Sequence, residues 1–285
     1  ADGTFEYIDE KSGMTLQSGT VTVDYLVTNL TVDPATATVE KPVALSSTLK
    51  DGGGNPIAGL SVDYYVDSVL IGSALTNDFG VSSILYTPQN VGTGTSTIEA
   101  QYVGNQPGGK YASSSGTAPL TINKMSTTLS LSVQSSIKVG DAVDLAAALK
   151  KDGNPIGAGF TVSFYIRPSI GSWDLIGSPT TNSSGVAVVV PKYTFSSPDT
   201  YEIKAEFSGT ANYAPSMDTT TRTVAMQRTS IKLTITPTIT PKVDQQITLS
   251  ATLKNDVGGN LIPPSGRIIE FYVNSQLIGS AITDI

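Results

Sequence analysis

One pattern restarts three times along this chain. "LSSTLKDGGGNPIAGLSVDYYV" begins at Leu45, "LAAALKKDGNPIGAGFTVSFYI" at Leu145 and "LSATLKNDVGGNLIPPSGRIIEFYV" at Leu249. A period of about a hundred residues means one folded unit repeated in tandem. The punctuation after each start also recurs. "LIGSALTNDFG" at Leu70 matches "LIGSPTTNSSG" at Leu175 and "LIGSAITDI" at Leu277. "IEAQYVGNQPGGKYASS" at Ile98 matches "IKAEFSGTANYAPS" at Ile203.

The repeated segments read as strands. "VDYYV", "VSFYI" and "IEFYV" put Val62, Tyr64 and Val66 on one face, with Val162, Phe164, Ile166 and Ile269, Phe271, Val273 as equivalents. That period of two marks a half-buried strand. Turn signals separate the strands, among them Asp51-Gly52, Asp152-Gly153-Asn154-Pro155 and Asn182-Ser183-Ser184-Gly185. No run at helical period stands out. About seven short strands per hundred residues is the pattern of an antiparallel β-sandwich. The expectation is an all-β chain of tandem antiparallel β-sandwiches. The first core is expected to hold Val62, Tyr64, Leu85, Ile98, Ala100 and Tyr102, and the second Val162, Phe164, Val188, Ile203, Ala205 and Phe207.

Residues 205–216, "AEFSGTANYAPS", and 180–189, "TTNSSGVAVV", carry a resemblance to a family. In the full order of its segments the chain resembles the bacterial and archaeal immunoglobulin-like repeats of cell-surface proteins, of the bacterial Ig-like group 3 type. The resemblance implies tandem antiparallel immunoglobulin-like β-sandwiches in an extracellular, cell-surface location, and brings no catalytic residues. Phe79, where a small residue is usual, and the longer loop in "AQYVGNQPGGKYASS" depart from the family pattern.

Four segments follow: 1–26 as the C-terminal strands of a partial domain, 27–125 and 126–227 as complete domains, and 228–285 as the N-terminal strands of another partial domain. Phe5 and Tyr7 align with Ala100 and Tyr102, and Val21 and Val23 with Leu120 and Ile122. Two explanations fit complementary ends. The chain is a window of a longer tandem array, or the ends complete each other between molecules. The window is favoured, because the strand equivalent to "VSSILYTP" is supplied by neither end.

Composition narrows the chemistry. Charged residues are 14% of the chain, against the usual ~25%. Yet 39% hydrophobic content is too high for disorder. A net charge of −7 without a basic cluster argues against nucleic acid. No stretch is long and apolar enough to span a bilayer as a helix. "ADGTFEYIDE" has neither the basic start nor the apolar segment of a signal peptide, although a mature N-terminus left by cleavage looks the same. The chain contains no Cys and no His. This excludes Cys nucleophiles, Ser-His-Asp triads and zinc sites. No enzymatic activity and no cofactor are expected.

The remaining candidates are few. Asp51, Asn55, Asp152, Asn154 and Asp256 recur in one loop and could ligate calcium, but turns use the same residue types. Asn29 and Asn182 lie in glycosylation sequons, Asn182 in a turn expected to be exposed. Tyr65, Tyr165 and Tyr272 face away from the core and could stack on a sugar or a neighbouring sandwich; cross-strand pairing is the plainer account. Glu99, Glu202 and Glu206 lie on solvent-side positions, so a charged outer face explains them better than paired catalytic carboxylates. Trp173, the only Trp, lies in the insertion "RPSIGSWDL", which makes the second repeat differ in its loop aromatics. The leading expectation is a structural array: a stalk, surface-layer unit or filament outside a microbial cell. Its partners are other copies or the continuing array. The alternative is an adhesin-type module that binds glycan or protein.

Overall fold

The computed structural model describes residues 2–8, 15–22, 24–92, 94–104, 109–238, 240–255 and 266–284. It contains no helix among the described residues; every element is a strand. The chain forms two compact units: Ala1–Thr128 with Lys151–Asn154 and Ser208–Ser216, and Leu129–Lys150 with Pro155–Phe207 and Met217–Ile285.

The first unit opens with an antiparallel hairpin, β1 (Asp2–Ile8) and β2 (Thr15–Thr22). A sandwich follows, from β3 (Thr28–Val32), β4 (Ala35–Thr38), β5 (Val43–Asp51), β6 (Ser61–Val66), β7 (Val69–Leu75), β8 (Val81–Tyr86), β9 (Ser96–Tyr102) and β10 (Ser114–Asn123). One sheet runs β4-β10-β9-β6-β7 and the other β3-β5-β8. All pairs are antiparallel except β4 with β10, which lie parallel. The alternation expected of β6 is met: Val62, Tyr64 and Val66 are buried, whereas Asp63 and Tyr65 are only half-buried. Leu30, Leu45, Leu49, Ile57, Ile98, Ala100, Tyr102 and Leu120 complete the core.

The second unit takes most of β11 (Thr127–Val133), then β12 (Ile137–Lys138), β13 (Ala142–Val143), β14 (Leu145–Lys151), β15 (Asn154–Pro155), β16 (Ser163–Pro168), β17 (Asp174–Gly177), β18 (Val186–Val188), β19 (Tyr193–Thr194), β20 (Asp199–Phe207) and β21 (Ser216–Ala225). Its five-stranded sheet runs β12-β21-β20-β16-β17, and β14 carries β11, β15 and β18. Phe164 occupies the place of Tyr64, fully buried in the same way. The unit ends with two hairpins, β22 (Thr229–Thr236) with β23 (Thr248–Asn255) and β24 (Ile268–Val273) with β25 (Gln276–Ile282).

Two expected core residues are corrected. Leu85 is 73% exposed and Val188 37% exposed. The register shows why. β8 pairs with β5 through Leu45↔Ile84 and Ser47↔Ser82, so β8 turns Ser82 and Ile84 inward and Leu85 outward. A serine in a core breaks the apolar pattern from which facing is read. In β18, Ala187 pairs with Ala147 and is buried, as is Val189 just beyond the strand. Three consecutive valines, Val188 to Val190, gave no alternation to follow.

Candidate contact faces and loops

The loop side chains are spent on closing turns. Asp51 Oδ1 accepts from the backbone N–H of Gly53 at 2.9 Å and of Asn55 at 2.8 Å, and the Asn55 amide donates to both carboxylate oxygens. These bonds, led by that from the Asn55 side chain, hold the Asp51 carboxyl below its usual range. Asn77 Oδ1 accepts from Phe79 and Val81, each at 3.0 Å. Asn182 Oδ1 does the same with Ser184 and Val186. Each of these asparagines is followed three residues later by a glycine at positive φ, Gly80 or Gly185. A Cβ there would lie 2.4 Å from the Leu49 carbonyl oxygen, or 2.6 Å from that of Leu149. The repeated Asn-x-x-Gly is thus an Asx turn crossing close over a strand.

The calcium candidates fall into separate small groups. Asp51 bonds with Asn55. Asp152 takes the Lys41 ammonium at 2.5 Å and, through its backbone carbonyl, the Asn154 amide. Asp256 lies outside the described residues. Among the described residues no three acidic side chains stand together as a metal-holding group. Asn29 and Asn182 are both exposed, the first on β3 and the second in its turn.

The outer face of the second unit is the most elaborate surface. The pairing of β16 with β20 sets Tyr165 opposite Lys204, Arg167 opposite Glu202 and Ser163 opposite Glu206. Lys204 Nζ stands 4.4 Å from the Tyr165 ring centroid and 5.2 Å from that of Trp173, and the Arg167 guanidinium lies 4.7 Å from Trp173. Arg167 donates twice to Glu202, and Lys204 pairs with Glu206 at 2.8 Å. Glu202 and Glu206 therefore serve as partners of cations. A shallow cleft of about 310 Å³ opens beside this ladder, lined by Arg167, Ser169, Thr200, Glu202 and Thr221 among others.

Among the described residues the other repeats lack this arrangement. Their hairpins turn at Asp67-Ser68 and Asn274-Ser275, all four at positive φ, the tight turn favoured by strand twist. The second repeat replaces that turn with the longer segment that carries Trp173. Tyr65 is half-buried opposite Glu99, and Tyr272 donates to Glu270 at 2.6 Å.

One cluster escaped the sequence reading. Within the first unit, Glu40 accepts from Lys151 at 2.6 Å and from the Tyr213 hydroxyl at 2.5 Å. Lys151 also lies 5.4 Å from the Tyr213 ring centroid. The bond from Lys151, then that from Tyr213, lowers the Glu40 pKa, and the Glu40 bond raises that of Lys151. The available signal was small: a lysine stands at 151 where the other repeats have Asp51 and Asn255.

No protein-family profile and no curated protein matches the chain. Among solved structures it is similar to a tetra-tandem repeat from the extending region of a large adhesion protein, at 16% identity over 91% of this chain and 63% of that one, with a TM-score of 0.38. It is also similar to the bacterial integrin-binding protein invasin, at 19% identity over 89% and 52% of the two chains, TM-score 0.44. A third is the Escherichia coli adhesin FdeC, at 18% identity over 85% and 77%, TM-score 0.33. The chain spans less than two thirds of the first two.

Proposed function

We propose that this chain is part of an extracellular structural array of immunoglobulin-like sandwiches, of the bacterial group 3 type, serving as a stalk, surface-layer unit or filament on a microbial cell. One observation carries the reading: the same core is rebuilt in successive repeats while the polar side chains of their loops close turns. Val62, Tyr64 and Ile98 recur as Val162, Phe164 and Ile203, all fully buried. Such a chain is built to hold shape and spacing. Antibody labelling of intact source cells tests it. Surface label is expected, and label only after permeabilisation overturns it. Imaging the labelled assembly separates lattice, fibre and isolated rod.

A second reading has a specific observation behind it. The Trp173 face, present among the described residues in one repeat alone, is suited to an adhesin-type contact with a glycan, since an aromatic ring beside charged pairs offers both stacking and hydrogen bonds. Trp173 is the only Trp in the chain, so its fluorescence reports directly on this face. A saturable change on titration with oligosaccharides from the host or neighbouring cells, lost in Tyr165→Ala, supports the reading. No change across a broad glycan set ends it.

A further inference from the structure

The charges on the outer face of β16 and β20 decide what can rest on its aromatic rings. Arg167 and Lys204 are the cations beside Trp173, and each is already matched. Arg167 donates through Nε at 2.9 Å and through Nη2 at 2.5 Å to Glu202, and Lys204 pairs with Glu206 at 2.8 Å. Asp199, at the start of β20, adds a further carboxylate, which accepts from the Ser169 hydroxyl at 2.7 Å. Carboxylates therefore outnumber cations here, on a chain whose net charge is −7. An anion approaching this face meets a repulsive field. To reach a cation it must displace a carboxylate already in place.

Neutral hydroxyls meet no such barrier. Both Arg167 bonds end on one oxygen, Glu202 Oε2. A guanidinium has five N–H donors and each carboxylate oxygen can accept, so Arg167 can still donate and Glu202 Oε1 can still accept. The cleft of about 310 Å³ sets Ser169, Thr200 and Thr221 around this pair, all three exposed. A hydroxyl both donates and accepts, so two adjacent hydroxyls of one ligand satisfy the Arg167–Glu202 pair without breaking it. The same guanidinium lies 4.7 Å from the Trp173 ring centroid, so a stacking surface adjoins the polar cleft. The loop between them is set in shape. Ser169 is tied to Asp199, and a Cβ on Gly171 would lie 2.8 Å from Pro168 Cγ, so the chain turns tightly there. A site shaped before its ligand arrives loses less freedom on binding.

We propose that this site takes an uncharged saccharide. Adjacent hydroxyls of one pyranose ring bridge Arg167 and Glu202 in the cleft, and C–H groups of that ring or the next lie against Trp173. The proposal rests on the glycan reading of this face and narrows it, since acidic sugars, carboxylated or sulfated, are excluded by charge. Glu202 sets the preference, because it fills the place that an acidic group would take on Arg167.

The Trp173 fluorescence of the full chain tests this with cellohexaose and mannohexaose as neutral probes, and hexagalacturonate and sialyllactose as acidic ones. A saturable change with a neutral probe is expected, nearly constant between low and high salt because no net charge is neutralised. The acidic probes are expected to bind about tenfold more weakly or worse. Glu202→Gln keeps the shape and removes the charge. It is expected to weaken the neutral probe and admit the acidic ones, changing their affinity ratio about tenfold or more. An acidic probe that binds the unmodified chain as tightly as the neutral ones, with affinity falling as salt rises, overturns the proposal but leaves the glycan reading standing. Unchanged selectivity in Glu202→Gln overturns it as well. No response to any probe overturns both.

Discussion

The Tyr64 hydroxyl donates to the carbonyl oxygen of Ser82 at 2.7 Å, inside the core of the first sandwich. It also lies 2.8 Å from the hydroxyls of Ser47 and Ser82, which are 2.9 Å from each other. The second repeat replaces all three polar residues together: Phe164, Ala147 and Ala187 stand at the same places. Buried polar groups survive when mutually satisfied, and removing one member costs more than removing all. Tyr64→Phe should therefore cost about 1–2 kcal/mol. The triple variant Ser47→Ala, Tyr64→Phe, Ser82→Ala should recover most of it, as urea unfolding would show.

Phe164→Ala should cost about 3–5 kcal/mol, as large-to-small changes in a packed core do. Tyr165→Ala removes a half-buried ring from the opposite face and should cost much less, below about 1.5 kcal/mol. Similar losses in the two variants would contradict the facing seen in β16.

Gly80→Ala and Gly185→Ala should each destabilise by about 1–3 kcal/mol, because both the positive φ and the adjacent carbonyl exclude a side chain. Gly54 is also at positive φ but has nothing close to an added Cβ. Gly54→Ala should cost less than either. Chemical denaturation of the three variants in parallel checks the order.

The Glu40 cluster should make the first unit pH-sensitive at both extremes. The Glu40 pKa is lowered in the fold, so its contribution is present above the unfolded value of 4.5 and lost as pH falls through the folded value. The Lys151 pKa is raised, so its contribution is complete below 10.5 and lost as pH rises through the folded value. Glu40→Gln should flatten both limbs in a stability–pH profile. The effect at neutral pH should stay within about 1 kcal/mol, as for exposed pairs.

Strand identity and the facing of β6, β16, β9 and β20 were legible because alternation and repetition agreed there. Facing failed at β8 and β18. In the first, Ser82 is polar yet buried; in the second, adjacent valines erase the period. The turns were legible as turns, and the structure adds what their side chains hold. The Trp173 insertion was visible as an irregularity, but its stacking with Arg167 and Lys204 depends on the register of β16 with β20. The Glu40 cluster joins residues more than a hundred positions apart, and no local pattern reports that.

Tandem copies synthesised one after another risk exchanging strands before each has closed, the characteristic misassembly of repeat proteins. The unlike cores of the first two repeats bear on that hazard. If β18 entered the first sandwich in place of β8, the phenol of Tyr64 would meet the methyl group of Ala187 in place of the Ser82 hydroxyl. If β8 entered the second, the Ser82 hydroxyl would be buried against Phe164 without a partner. The first swap loses one hydroxyl contact of Tyr64, and the second buries a hydroxyl that the correct strand lacks. The Tyr-Ser-Ser and Phe-Ala-Ala sets would therefore disfavour strand exchange between neighbours of otherwise similar sequence.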